Sequence, residues 1–264
     1  MPVSILKILS FRLSGRFAHF RKFYTNSSSL SYFVPPRTAI IGMLGSILGY
    51  ERDSYYQIFN HDDFRISVSV TPDVSIKKQM QCMNYLHEEY YKLLVKGKGK
   101  NQHGQCRLEL LMTDDFRPID YTIYIGATND KSLKILSMIE QKVINHDLGF
   151  GVYLGQRQFM ADINHVKSFE NISYVEISQH VDTICIKDFA QPDPNLNLDR
   201  HLVVDRMPIH FEKESANKKG KQTISGRVLH SIKNVIHEKS GLRIFGIFKN
   251  CYHIDNLSIA FFEE

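Results

Sequence analysis

Alternating apolar and polar positions predict three long β-strands in the first half of the chain. The alternation is clearest at Phe64–Thr71 (FRISVSVT) and Ile119–Ala127 (IDYTIYIGA), and Val3–Leu13 (VSILKILSFRL) ends in the same pattern. Successive side chains of a strand point to opposite faces of the sheet, so a period of two indicates a strand with one buried face. Pro72 marks the end of the second strand, because proline cannot donate a hydrogen bond to a strand ladder.

Two other segments carry apolar residues at helical spacing. Arg37–Gly49 follows a pair of prolines, of which Pro36 suits a first helical position. Lys131–Asn145 is amphipathic, and Asn129 or Asp130 can cap its start. The order of strand, loop, helix and strand predicts an α+β protein whose main domain is RRM-like or ferredoxin-like.

The long connection between the second strand and Cys106–Met112 predicts a protruding arm, residues 72–105. Within it, Lys77–Val95 shows apolar residues at helix spacing, and the segment KGKGKNQHGQ that follows is typical of a flexible basic tip. The tip is either solvated or grips phosphate through Lys96 and Lys98. Hairpin loops usually hold about 2–5 residues, so a connection of this length indicates an insertion with its own function. We expect the flanking strands to lie in one sheet that survives removal of the arm.

The chain beyond residue 186 predicts a small, mostly β subdomain, 187–264, after an RRM-like domain at 1–186. Breaks such as QPDPN and a Lys-rich loop at 218–222 separate its short apolar segments. Arg227–Glu238 fits either a helix or a strand. The strands predicted in this half of the chain lie within Ile172–Asp188, Leu202–Phe211, Leu242–Tyr252 and Leu257–Phe262.

Composition and charge add a bias towards anionic partners. The 264 residues are 43% hydrophobic and 23% charged, which is ordinary for a soluble globular protein, and the formal net charge of +5 suits a polyanion. No Asp or Glu occurs between Met1 and Tyr50, where Arg and Lys are frequent. This distribution favours a nucleic-acid-binding patch in the first fifth of the chain.

Other features limit the function classes. The four cysteines form no CxxC pair, which argues against a zinc ribbon and favours reduced thiols in the cytoplasm. The start of the chain lacks the apolar core of a signal peptide, and the apolar stretch Thr38–Tyr50 is too short to span a bilayer. His61, Asp62 and Asp63 have no further spaced ligands, so we expect a surface turn there. We therefore expect a cytoplasmic protein with no membrane contact, no metal and no cofactor.

The loop after the first strand, residues 16–31, carries the strongest binding chemistry. Arg and Lys neutralise phosphates, and His or aromatic rings can stack on unpaired bases. Asn and Ser side chains offer short donors to phosphate or 2′-hydroxyl groups, and a helix start favours an anion. The candidate RNA-binding residues are Arg16, His19, Arg21, Lys22, Tyr24, Asn26, Ser27, Ser28 and, at the helix start, Arg37.

Gly42 and Gly45 lie in the middle of the predicted helix Arg37–Gly49. A glycine inside a helix costs about 1 kcal/mol relative to alanine. That loss is tolerable where a backbone or a ligand must come very close, so both glycines are candidates for the binding site. Tight packing of the helix on the sheet is the alternative explanation.

The block FAHFRK, followed by a Ser-rich loop and PPRTAIIGMLGSILG, spans about 40 residues and resembles the N-terminal region of a known family. This is the CRISPR-associated Cas-five family, part of the RAMP group of RNA-binding proteins. Weaker matches follow at GVYLGQRQFMADI and DRMPIHFE. The resemblance implies that the glycine-rich loop after the second helix faces RNA phosphate, which adds Tyr153 and Gly155 to the candidates.

The resemblance further implies a non-catalytic subunit of a type I Cascade complex, with the I-B pattern the most similar. Such a subunit binds the 5′ handle of CRISPR RNA and caps the Cascade backbone. The arm would contact the neighbouring backbone subunit, and the large subunit would dock nearby. Target DNA would be reached only through the complex.

Two other functions stay open from the sequence. One branch of the Cas-five family processes guide precursors, and metal-independent RNA cleavage needs a general base, a general acid and a cation. The residues that could form such an endoribonuclease site are His19, Lys22, Tyr24 and His87, although no compact pattern maps onto that branch. A general RNA-binding module outside CRISPR is the third interpretation.

Overall fold

The computed structural model describes residues 3–25, 28–72, 74–85, 88–97, 104–218 and 221–263. In chain order, the elements of the first two thirds are β1 Lys7–Gly15, β2 Phe20–Arg21, β3 Ser31–Tyr32, α1 Arg37–Leu48, β4 Phe64–Val70, β5 Ile76–Tyr85, α2 Glu88–Val95, β6 Gly104–Thr113, β7 Ile119–Ala127, α3 Asp130–Ile144 and β8 Asp162–Phe169. The remaining elements are β9 Ser173–Val181, β10 Cys185–Ile186, a short 3-10 helix Lys187–Phe189, β11 Ala190–Pro192, β12 Leu202–Lys218, β13 Lys221–Glu238, β14 Ile244–Ile254 and β15 Leu257–Ile259.

The main sheet is antiparallel and has the strand order β4-β7-β1-β8. With α1 after β1 and α3 after β7, this is the βαββαβ arrangement of a ferredoxin-like domain. The three predicted strands and both predicted helices are present close to their expected bounds. Asn129 caps α3 in a capping box with Ser132, as the sequence indicates. The predicted α+β, RRM-like class is therefore confirmed.

The fourth strand of this sheet, β8, is missing from the sequence-based prediction. It pairs with β1, but the register shifts where Ser10 faces Lys167 and Arg12 faces Asn164. This bulge contains His165, whose φ is +51°. An extra residue in one strand breaks the alternation of apolar and polar side chains, which removes the signal on which a strand prediction depends.

The arm is a two-stranded ribbon rather than a long helix. The sequence predicts a helix over Lys77–Val95, but Ile76–Tyr85 is the strand β5, which pairs along its length with β6, and only Glu88–Val95 is helical. Beyond its base the ribbon has solvent on both faces, so its strands show no clear period of two. Cross-strand hydrogen bonding outweighed the weak helical spacing of the methionines. Lys98 and the rest of the basic tip up to residue 103 lie outside the described residues.

The base of the arm belongs to the protein core. Ile76, Leu108 and Leu111 are at most 1% exposed and join the largest hydrophobic cluster. Leu111 also pairs with Ala18 of the loop after β1. β6 pairs with β5 and not with the main sheet, so the prediction that the flanking strands share one sheet is wrong. Removal of the predicted arm, residues 72–105, would therefore delete Ile76 from the core.

The C-terminal third is almost entirely β. The ambiguous segment Arg227–Glu238 is strand, within β13, because it pairs with β12 in a long hairpin. A second sheet joins β9, β11, β14 and β15. Met207, Ile209 and Val235 of this part belong to the same hydrophobic cluster as the main sheet. The division at 186/187 stays a prediction, with apolar packing running across it.

Arg37, a predicted RNA ligand, is instead a buried structural residue. Its side chain is 0% exposed, and its Nε donates to the carboxylate of Glu263, which is 2% exposed. The remaining guanidinium nitrogens donate to the carbonyls of Phe59 and Ile209, at 3.0 and 3.3 Å. The second oxygen of Glu263 accepts from the Ile66 amide at 2.9 Å. The guanidinium is therefore closed to any phosphate, and the prediction for Arg37 is wrong.

This pair makes a stability prediction. Replacing Glu263 with alanine should lower the free energy of unfolding by about 3–5 kcal/mol, because it leaves an unpaired charge on a fully buried Arg37. Arg37→Met together with Glu263→Ala should cost less than the sum of the two single changes, as measured by chemical denaturation. Asp115→Ala, which breaks an exposed pair with Arg117, is the control and should leave the denaturation midpoint close to that of the wild type. Strictly additive losses at positions 37 and 263 would contradict the proposed coupling.

Candidate nucleic-acid interface

A cleft of about 690 Å³ opens between two loops, one helix and one strand. Its walls are the basic loop after β1, the outer face of α1 with Tyr55, the glycine-rich loop after α3, and the middle of β12. The lining residues are His19, Phe20, Arg21, Lys22, Phe23, Thr25, Pro36, Thr38, Ala39, Gly42, Met43, Ser46, Tyr55, Gly151, Val152, Tyr153, Gly155, Gln156, Pro208 and Phe211. Three segments that the sequence singles out separately therefore meet at one place.

The small residues of α1 form the floor of the cleft. Ala39, Gly42 and Ser46 lie on the same side of the helix and line the cleft. Gly45 does not line it: a Cβ there would lie 2.6 Å from the ring of Tyr55, so this glycine permits aromatic packing. The packing explanation holds for Gly45, whereas Gly42 both faces the cleft and lies under the Tyr55 hydroxyl.

His19 fixes the basic loop to the base of the arm. Its ring is only 1% exposed, with Nδ1 2.8 Å from the Glu109 carbonyl and Nε2 3.1 Å from the Ser29 hydroxyl. Burial lowers the pKa of His19, because the protonated ring would lose its hydration. The predicted stacking on an RNA base is therefore wrong for this side chain, which acts inside the protein.

Two residues of the arm complete this anchor. The carboxylate of Glu109 accepts from the Ser31 amide at 2.7 Å and lies 3.2 Å from the Lys78 ammonium. Lys78 also donates to the Ser31 carbonyl at 2.5 Å. Neither Lys78 nor Glu109 is a candidate in the sequence analysis, because their neighbours in the basic loop are more than 40 residues away. The shape of the basic loop thus depends on β5 and β6.

Lys22 ties the basic loop to the hairpin of β12 and β13, called here the C-terminal hairpin. Its Nζ is 2.5 Å from an oxygen of Asp205 on β12 and 5.4 Å from the centre of the Tyr32 ring. Burial acts to lower the pKa of the Lys22 ammonium, but the hydrogen bond and charge of Asp205 outweigh it and raise that pKa. The other Asp205 oxygen lies 3.5 Å from Nε2 of His237. Lys22 lines the cleft, with its charge balanced by a buried carboxylate.

The glycine-rich loop packs directly on the basic loop. The His19 amide donates to the Leu154 carbonyl at 3.0 Å. Gly155 has a φ of +87°, and a Cβ on it would lie 1.9 Å from the His19 carbonyl oxygen, so only glycine fits. This contact brings Tyr153 and Gly155 to the cleft, where the glycine is required first by the neighbouring loop; that they face RNA stays a prediction.

Arg21 is the predicted cation with the most open position in the cleft. It is exposed, donates to the Thr25 carbonyl at 2.9 Å, and lines both the cleft and a shallower neighbouring groove.

The other candidates of the loop and arm lie outside the cleft or outside the described residues. Arg16, Tyr24 and Ser28 are exposed, but they do not line the cleft. Lys96 is exposed at the end of α2. The remaining two candidates of the loop, Asn26 and Ser27, lie outside the described residues.

The neighbouring groove adds a cation that the sequence analysis missed. It encloses about 580 Å³ and runs along β6 from Arg21 to Arg157, which is exposed at the tip of the glycine-rich loop. The run GQRQ at the last glycine of the loop is a usable signal, because it places a cation at a loop tip.

The described lining of both the cleft and the groove is free of negative charge. Among the described residues, no Asp or Glu lines either depression. The first turn of α1 borders the cleft, where backbone amides favour an anion.

The described parts of the chain show no cluster of metal ligands and no helix that could span a bilayer. These residues contain no group of three or more His, Cys, Asp or Glu side chains that could hold a metal ion. His61, Asp62 and Asp63 form the expected turn. Among the described residues, no helix has the length and apolar character needed to cross a bilayer. Cationic side chains, polar backbone and aromatic rings in one cleft suit a single-stranded nucleic acid.

Comparison with protein families decides the relationship. The family profile described as "CRISPR-associated protein (Cas_Cas5)" matches residues 8–223. This chain belongs to the Cas5 family. The family is the one that the N-terminal block FAHFRK to PPRTAIIGMLGSILG resembles, so that part of the sequence analysis is confirmed. The match includes both loops of the cleft and the whole arm.

One solved structure supports the fold, and two further chains are similar at TM-scores below 0.5. A CRISPR protein from Archaeoglobus fulgidus superposes with a TM-score of 0.55 and 11% identity, covering 96% of this chain and 98% of that chain. A chain of a CRISPR RNA-guided surveillance complex gives a TM-score of 0.45 at 12% identity, covering 88% and 90%. A chain of type III-B Cmr-beta bound to cognate target RNA and AMPPnP gives 0.42 at 14%, covering 90% and 86%. No curated protein matches the sequence.

The burial of His19 predicts a pH dependence of stability. The unfolded chain holds the ordinary His pKa of 6.5, whereas the folded pKa is lower. As the pH falls below 6.5, the unfolded state takes up a proton that the folded state does not, so the free energy of unfolding should fall until the folded pKa is reached. Denaturation curves between about pH 7.5 and 5 should show a weaker decline in His19→Gln than in the wild type.

His61→Gln, at an exposed position, is the control for this series and should follow the wild-type profile. Equal declines in His19→Gln and the wild type would show that His19 is not the titrating group.

Proposed function

We propose that this protein is a non-catalytic subunit of a type I CRISPR interference complex. In this proposal it binds the 5′ handle of CRISPR RNA in the cleft and caps one end of the Cascade backbone. Membership of the Cas5 family supports a role in CRISPR defence. The I-B subtype stays a prediction from the N-terminal block.

One observation carries the RNA-binding part of the proposal. The basic loop, the small-residue face of α1 and the glycine-rich loop meet in a cleft whose described lining contains no carboxylate. Arg21 and Arg157 extend the positive lining into the neighbouring groove, and exposed Tyr153 lines the cleft itself. A positive track with an aromatic side chain and open backbone is the arrangement that binds single strands with little dependence on sequence. A 5′ handle is such a strand.

The same geometry argues for binding without cleavage. A general base must reach the proton of a 2′-hydroxyl group. His19 is 1% exposed and both its ring nitrogens are engaged inside the protein, while Lys22 is paired with Asp205. His87 lies outside the described residues. Of the residues considered for an endoribonuclease, only Tyr24 is both described and open to solvent.

A binding experiment tests both parts. The full-length protein is titrated with single-stranded RNA of the CRISPR repeat sequence at several salt concentrations. Arg21→Ala should weaken binding and reduce the slope of log K against log salt by about 0.7, the value for one lost phosphate contact on a single strand. Arg21→Lys keeps the charge and should keep the slope. Arg52→Ala, at a position 83% exposed outside the cleft, controls for the loss of one net charge.

An unchanged slope in Arg21→Ala would remove this residue from the RNA site, and no binding by the wild type would overturn the proposal. The same mixtures, incubated without metal and separated on denaturing gels, should contain intact RNA. Discrete cleavage at the handle boundary, lost in Tyr24→Phe, would establish the endoribonuclease instead.

The arm is the proposed contact with the adjacent backbone subunit. The end of α2 exposes apolar side chains, with Tyr91 58% and Val95 70% exposed, next to Lys92 and Lys96. Large apolar side chains in solvent at the end of an extension indicate a protein contact. In this proposal the large subunit docks near the arm, and the protein contacts target DNA only as part of the assembled complex.

Truncation of the arm tests this contact without disturbing the core. Gln81 and Leu108 face each other across the ribbon, so an Asn-Gly turn can join them and replace residues 82–107. The shortened protein keeps Ile76, Lys78 and Glu109 and should retain its unfolding midpoint; its RNA affinity is measured in parallel, because the cut also removes Lys96 as well as Gly104–Cys106 of the neighbouring groove. It should fail to form a stable complex with the backbone subunit on guide RNA in gel filtration. Normal assembly would exclude the arm as the contact, and loss of folding would place the outer ribbon in the core.

A further inference from the structure

The glycine-rich loop doubles back on itself as a small hairpin. The Leu154 amide donates to the Phe159 carbonyl at 2.7 Å, and the Ala161 amide donates to the Val152 carbonyl at 3.0 Å. Tyr153 and Met160 face each other in an antiparallel bridge between these two bonds. Buried and exposed side chains alternate along the two short halves of this hairpin, as they do in a pair of β-strands.

This alternation sorts the side chains onto two faces. Val152, Leu154 and Phe159 are 2%, 0% and 7% exposed and belong to the main hydrophobic cluster. Tyr153 and Met160 point the other way and are 40% and 61% exposed. Directly opposed residues of an antiparallel pair lie on the same face, so the phenol ring and the thioether are neighbours.

Gly151 lies next to this pair and has no side chain to cover it. It is exposed, and the terminal methyl group of Met160 lies 3.3 Å from the position that a Cβ on Gly151 would take. The Met160 side chain therefore lies along the bare backbone of Gly151, beside the ring of Tyr153. We call Tyr153, Met160 and the Gly151 backbone the platform.

The platform borders the proposed RNA cleft. Gly151 and Tyr153 line the cleft together with Arg21 and Lys22. The next residues of the hairpin, Gln156 and Arg157, line the neighbouring groove. An apolar, uncharged surface thus adjoins a cleft and a groove that both contain cations. A single strand offers complementary groups, because its phosphates are charged and its unpaired bases are flat and can stack.

We infer that the platform stacks one unpaired nucleobase of the single-stranded RNA held in the cleft. The inference rests on the proposed function and adds the base contact to it. Stacking on Tyr153 and the Met160 thioether reads no hydrogen-bonding edge, so the platform accepts any base and recognises that the strand is unpaired at this point. A duplex, whose bases are already stacked, does not fit.

The test is a cycle between protein and RNA changes. Repeat RNAs that each lack one base, replaced by an abasic nucleotide, are titrated with the full-length protein by fluorescence anisotropy. Tyr153→Ala should weaken binding of intact RNA by about 5- to 30-fold, the lower range for loss of one base stack. One abasic position should weaken wild-type binding by a similar factor and have no further effect in Tyr153→Ala. Met160→Ala should couple to the same position.

Two variants separate stacking from other roles. Tyr153→Phe keeps the ring and should bind like the wild type. Phe150→Ala removes another exposed aromatic side chain of the same loop, 56% exposed and outside the cleft lining, and should show no coupling to any abasic position. Unfolding midpoints show whether each variant retains the fold.

The outcomes distinguish the platform from the proposed function. If Arg21→Ala lowers the salt slope but Tyr153→Ala and the abasic changes add independently, the platform is wrong and the RNA cleft stands. If Tyr153→Phe loses as much affinity as Tyr153→Ala, the hydroxyl group is the contact and stacking is wrong. If wild-type protein does not bind the RNA, both the platform and the proposed function fail.

Discussion

The buried ion pair between Arg37 and Glu263 is the constraint on which the cleft depends. It lies at the first residue of α1 and joins this helix to the chain end, to the edge strand β4 through the Ile66 amide, and to β12 through the Ile209 carbonyl. Two charges are removed from water there, which is favourable only when their hydrogen bonds are complete. The pair therefore fixes where α1 begins relative to β12, and both elements line the cleft.

The loops of the cleft are held by a second set of buried polar contacts. The basic loop is tied to the arm through His19 and Glu109, to the glycine-rich loop through the Leu154 carbonyl, and to the C-terminal hairpin through Lys22 and Asp205. Each tie uses a group that would be costly to bury unpaired. The tied residues of the loop, His19 and Lys22, have little conformational freedom to lose when a ligand arrives, and low ordering entropy favours binding.

Some of the residues chosen for RNA chemistry therefore serve the scaffold instead. Arg37 and His19 are basic and lie in an acid-free segment, which makes them strong candidates by type and spacing. Their acidic and carbonyl partners, Glu263 and Glu109, lie 226 and 90 residues away in the chain. Arg21 has the same signals and does reach the surface of the cleft, as does Tyr153, which is a candidate only through the family resemblance. Residue type alone does not separate the two groups, because burial depends on what packs above each side chain.

The sequence by itself determined three strands of the ferredoxin-like sheet, α1, α3 and the family, because these depend on local periodicity, capping and an ordered motif within about 40 residues. It also placed both loops and both central glycines among the candidates. Tertiary structure alone decided that β5 is a strand, that β8 completes the sheet across a bulge, and that His19 and Arg37 are buried. The physical reason is shared: strand pairing and burial are contacts between distant segments, and a local pattern records only the part of a residue's environment that its own neighbours supply.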